Sequence, residues 1–170
     1  MKRKAVLKTI DILLTWSFFF VNFDKKKNMI PIAHLHPMLV HFPIAIIMIG
    51  FLLDVFSFIF SSDKCLSRMG YYLEVIGMAA AIVAWGTGYF FTSPMEGEAG
   101  LAREMHEQFA TITLISIIVA TLFRMLIVYL KKESTVLRYV ALLLYFIAFL
   151  SVSYTGFLGG RLVQDFMIGL

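Results

Sequence analysis

HLHPMLVHFPIAIIMIGFLLDVFSFIF, residues 34–60, decides the fold. From Met38 to Phe60 it is almost wholly apolar, with Asp54 its only carboxylate. A helix crosses a bilayer with roughly 20 apolar residues at about 1.5 Å of rise each, and this run suffices. Three further runs of the same kind follow, Tyr71–Phe91, Phe109–Leu130 and Tyr139–Gly160. The links between them are short and polar, so consecutive spans should pack antiparallel. The expected fold is all-α, an integral membrane four-helix antiparallel bundle forming one domain over residues 29–170. Composition leads the same way: 60% of the 170 residues are hydrophobic and 15% charged. Soluble domains carry about 25% charged residues.

Residues 1–28 form a basic leader with an apolar centre at Ile12–Val21. It reads as a signal-like helix, either an anchor or a cleaved signal, or as sequence ahead of a true start at Met29. Lys8 and Asp11 interrupt the apolar part and no small-x-small cleavage site follows, while the run KKKNM favours the Met29 start. The leader holds seven Lys/Arg and two Asp, whereas residues 29–170 hold eight Lys/Arg and nine Asp/Glu. The net charge of +4 therefore belongs to the leader, and the body has no basic footprint for nucleic acid. Cys65, the only cysteine, excludes an internal disulfide, a four-cysteine iron–sulfur cluster and a C-x-x-C-H haem attachment.

Lys and Arg in short loops set membrane orientation. The first loop has Lys64 and Arg68, and the third has Lys131, Lys132 and Arg138. The second has Arg103 among Glu96, Glu98, Glu104 and Glu107. The first and third loops should face the cytoplasm. His34, His36, His41 and His106 then share the outer end, at the starts of the first and third spans.

Two readings of those histidines stand. In one they are hydrogen-bond partners near a kinked helix start, because Pro43 deprives the Leu39 carbonyl of its donor. In the other they bind a cofactor: imidazoles from different helices at one depth ligate haem b iron. His36, His41 and His106 are the candidates, with His41 and His106 as the metal pair if the third span starts early, near Leu101. By depth alone His36 matches His106 better. Met38 and Met105 nearby admit copper, and quinone is a further redox ligand.

Residues 36–45, HPMLVHFPIA, resemble the defining block of domain-of-unknown-function family 2231, bacterial membrane proteins whose pattern runs H-P-x-L-V-H-F-P-I-A. GFLGGRLVQDFMIGL, residues 156–170, is similar to the family's closing block, with Phe157 replacing Trp and Gln164 where Tyr is common. His106 is a third, weaker match. The resemblance covers about residues 34–170. It implies a multi-pass protein of the bacterial cytoplasmic membrane with no settled activity. Relatives joined to Rieske or c-type cytochrome domains imply redox partners, which favours haem or quinone.

Toward the other end, Asp54 and Arg124 lie at equal depth with opposite charge and are expected to pair, with Glu74 nearer the surface joining them. That cluster reads as a structural clamp or a step in a proton path. Ala80, Ala84 and Gly88, and likewise Ser151, Thr155 and Gly159, form small-residue seams for helix packing or for a second copy. No phosphate-binding loop, H-E-x-x-H or nucleophile motif is present, so nothing indicates a hydrolase.

Overall fold

The computed structural model describes residues 35–60, 64–92, 94–132 and 134–167. The leader at 1–28 and His34 lie outside the described residues. Helices α1 (Leu35–Leu39), α2 (His41–Ile59), α3 (Lys64–Phe91), α4 (Gly97–Tyr129) and α5 (Thr135–Leu162) follow in order. A π-helical turn, Val163–Met167, closes the described part of the chain, and no strand occurs among the described residues. Four stretches are long and apolar enough to cross a membrane: Leu35–Ile59, Cys65–Phe91, Gly97–Tyr129 and Thr135–Phe166.

Local chemistry sets the boundaries. Pro43 has no N–H to give the Leu39 carbonyl, yet helical hydrogen bonds continue across Val40, from its N–H to the His36 carbonyl at 3.1 Å and from the Ile44 N–H to its own carbonyl at 3.4 Å, so α1 and α2 run on as one span. Gly97, at φ +65°, turns the chain into α4 in a conformation side-chain-bearing residues rarely adopt. Ser134 caps α5, its hydroxyl accepting from the Leu137 N–H at 3.3 Å. The three later spans start earlier than hydropathy suggests. Residues 64–70, 97–108 and 135–138 are charged or polar but helix-competent, so they extend the helices beyond the apolar runs.

The helices form two hairpins, α2 with α3 and α4 with α5, joined by lesser α3–α4 and α2–α5 contacts. The hairpins repeat one another. Helices α3 and α5 are each 28 residues, and their first residues, Lys64 and Thr135, lie 71 apart. The ends of α2 and α4, Ile59 and Tyr129, lie 70 apart. Burial follows these offsets: Ile47 and Ile117 are both fully buried, as are Glu74 and Tyr145, while Gly50 faces the core where Ala120 does. The bundle is thus an approximate two-fold arrangement of two helix hairpins. Since α2 runs parallel to α4, the axis runs along the bundle.

The core is Ile47, Phe51, Ala81, Ile117, Ala120, Tyr145, Ala148 and Val152. Gly50 has no side chain because the Tyr145 hydroxyl occupies that place, donating to the Ile47 carbonyl at 3.1 Å. The outer face exposes Phe42, Ile59, Phe90 and Leu143 with many other apolar side chains, as a helix bundle in lipid requires.

Candidate functional site

At one end of the bundle two imidazoles meet. His36 on α1 and His106 on α4 have ring centroids 6.3 Å apart and planes 76° apart. They lie 70 residues apart, the offset that relates the two hairpins. Each is anchored on the second helix of its own hairpin. His36 Nδ1 lies 3.1 Å from the Ala84 carbonyl and 3.1 Å from the Thr87 hydroxyl. His106 Nδ1 lies 3.1 Å from the Thr155 carbonyl. A carbonyl only accepts, so each Nδ1 carries the proton and donates, and in the neutral ring the Nε2 lone pair remains.

Glycines seat both rings. A Cβ at Gly88 would come within 2.8 Å of His36 Cε1, and one at Gly159 within 3.0 Å of His106 Cε1. Ala84–Gly88 and Thr155–Gly159 are thus equivalent seats, each offering a carbonyl and, four residues on, a gap where the ring lies. Below the pair, the Thr113 hydroxyl ties α4 to α5 through Ser151 and Thr155, both at 2.9 Å.

His41 lies elsewhere. It is exposed, and its Nδ1 donates to the Pro37 carbonyl at 2.8 Å on its own helical turn. The imidazole beside His106 therefore belongs to His36, in place of the expected His41–His106 pair. Both inward-running spans start earlier than hydropathy suggests, at Leu35 and Gly97, so His36 stands inside its own helix at the depth of His106, while His41, five residues on, falls on the exposed face. Neither His36 nor His106 serves the Leu39 carbonyl; both reach across to other helices. Met38 and Met105 are exposed. Among the described residues no group of three or more His, Cys, Asp or Glu gathers as a metal site.

The far end holds a second cluster. Arg124 on α4 grips both oxygens of Asp54 on α2, with the Nη2–Oδ1 bond at 2.7 Å and a second bond from Nη1 to Oδ2. It also donates to Glu74 Oε2 at 3.1 Å and to the Ser67 carbonyl at 2.8 Å. Glu74, expected nearer the surface, is only 1% exposed, because α3 begins at Lys64 and carries that residue ten positions into the helix. Its Oε1, like the Thr121 hydroxyl, has no hydrogen-bond partner among the described residues. Gly70 admits the Asp54 carboxylate, which a Cβ there would meet at 2.5 Å. Asp54 and Arg124 are themselves 70 residues apart, so opposite charges occupy equivalent positions and close on each other across the pseudo-axis.

The glycine seats and Thr113 were not anticipated as site residues. The only trace of the glycines in the sequence is the small-residue seams, read there as packing, and Thr113 left none. One seam residue in each case receives an imidazole from outside the helix.

The model of a family described as predicted membrane proteins, domain-of-unknown-function family 2231, matches residues 33–170. No curated protein matches the chain. No solved structure matches it either.

Proposed function

The chain belongs to that family of predicted membrane proteins, and on that premise we propose that it is a redox-associated membrane module in which His36 and His106 ligate the iron of a b-type haem. The observation that carries this reading is the pair itself, two imidazoles from two hairpins with both Nδ1 protons committed to carbonyls. Such anchoring fixes the tautomer, orients the ring and raises the basicity of Nε2. The ring centroids stand 6.3 Å apart, close enough that one metal would reach both rings. Bound haem supplies one-electron chemistry at the iron. The chain's part is to hold the two rings, with Thr87 and the Ala84 and Thr155 carbonyls fixing them and Gly88 and Gly159 giving them room. The same two lone pairs also suit a quinol, whose hydroxyls donate.

The Lys/Arg distribution favours the histidine end on the outer side of a bacterial cytoplasmic membrane, where soluble redox proteins of cytochrome or Rieske type would reach it. The test is the absorption spectrum and iron content of the full chain, purified in mild detergent from cells supplied with haem. The expected result is a Soret band lost in H36A and H106A and kept in H41A. A colourless protein without iron refutes the haem reading, and co-purified quinone in that protein would favour the quinol instead.

A second reading rests on the same hydrogen bonds. His36 and His106 each join two helices, so they serve equally as staples in a structural or assembly subunit. On that reading H36A and H106A lower stability and change no cofactor content.

A further inference from the structure

The arginine end opens into a cleft of about 420 Å³ between α2, α3, α4 and α5. Its volume falls within the roughly 300–1,000 Å³ of small-molecule sites. Arg68 on α3 and Arg138 on α5 both line it. They are 70 residues apart, so they occupy nearly equivalent positions on the two hairpins and flank the cleft from both sides of the pseudo-axis.

Asp54 also lines the cleft and feels the charge of Arg138, but both of its oxygens are held by Arg124. Among the described residues no carboxylate lies within ion-pair distance of Arg68 or Arg138. Arg138 packs over the Phe58 ring at 4.8 Å, which fixes the direction of its guanidinium. Arg68 is the fifth residue of α3 and Arg138 the fourth of α5, so both stand near helix N-termini, where the helix dipole adds positive potential. Tyr71 and Tyr72 also line it.

We infer that this cleft binds a phosphate group, held between the guanidiniums of Arg68 and Arg138. Guanidinium forks match phosphate oxygens two at a time. Both arginines are exposed and close to the ends of spanning helices, the depth at which lipid phosphates lie. Basic pockets between transmembrane helices take anionic headgroups, and free phosphate offers the same oxygens. This inference is independent of the histidine pair.

The experiment uses the full chain in neutral detergent and follows thermal unfolding with three additions: dioleoylphosphatidylglycerol, dioleoylphosphatidylcholine, or inorganic phosphate against chloride at equal ionic strength. The expected result is stabilisation by phosphatidylglycerol, with apparent affinity falling roughly thirty-fold in R68Q/R138Q, about five-fold for each arginine. K131Q/K132Q removes two exposed charges from the adjacent loop and should bind as the parent does. Stabilisation by phosphatidylglycerol alone identifies a headgroup as the source, and stabilisation by inorganic phosphate identifies the free anion. The inference is overturned if neither addition stabilises the protein, if R68Q/R138Q responds like the parent, or if K131Q/K132Q loses as much.

Discussion

Replacing Arg124 with Gln should damage this protein more than any other single polar change. The side chains of Asp54 and Glu74 are 6% and 1% exposed, and Arg124, itself 13% exposed, is their shared cation. Glutamine keeps a donor but loses the charge and most of the hydrogen bonds to Asp54, Glu74 and Ser67. Two carboxylates then remain buried without a counter-charge. Breaking a buried pair in this way costs about 3–5 kcal/mol, most of it the burden of the charge left behind. The triple variant D54N/E74Q/R124Q removes all three charges, with near-isosteric amides at positions 54 and 74, so it should regain more than half of that loss. The assay is reversible unfolding in mixed micelles, titrated with dodecyl sulfate and followed by circular dichroism. If R124Q lies within about 1 kcal/mol of the parent, the cluster carries no such weight. If the triple variant is as damaged as R124Q, charge imbalance is not the cause.

Other outcomes follow from close contacts. A methyl group at Gly50 would lie 2.3 Å from the Tyr145 hydroxyl, so G50A should cost about 1–3 kcal/mol by overpacking. In G50A/Y145F the obstructing oxygen is gone, and the same titration should show a loss smaller than the sum of the single changes. The buried Thr121 hydroxyl has no partner among the described residues, so T121V should be neutral or stabilising by up to about 1 kcal/mol, and a large loss would refute this. G88A should push the His36 ring from its seat and lower cofactor content while the helical circular dichroism signal stays unchanged; undiminished content would detach that seat from binding.

The spans were legible because apolar length is all that a membrane helix requires. The meeting of Asp54 with Arg124 was legible for a related reason: equal depth follows from counting residues along straight helices. The same count failed for Glu74, whose helix begins in polar sequence, Lys64–Gly70, which hydropathy reads as loop. For the histidines it matched His36 with His106, and His41 joined only when the third span alone was given an early start. Five residues along one helix put His36 and His41 about 140° apart, and depth does not say which of the two faces the bundle. The repeat was hidden for another reason. Equivalent positions keep burial but change chemistry, with Asp54 against Arg124, Glu74 against Tyr145 and Gly50 against Ala120. Only coordinates reveal that they do the same geometric work.

The most direct test of the histidine pair is electron paramagnetic resonance of the oxidised, haem-supplied protein. Haem held by two imidazoles would be low-spin in its ferric form, and ring planes 76° apart, if kept, would give it a strongly anisotropic signal. The account predicts that signal in the parent and in H41A, and its loss in H36A and H106A. A high-spin ferric signal in the parent, or no haem signal at all, would contradict it.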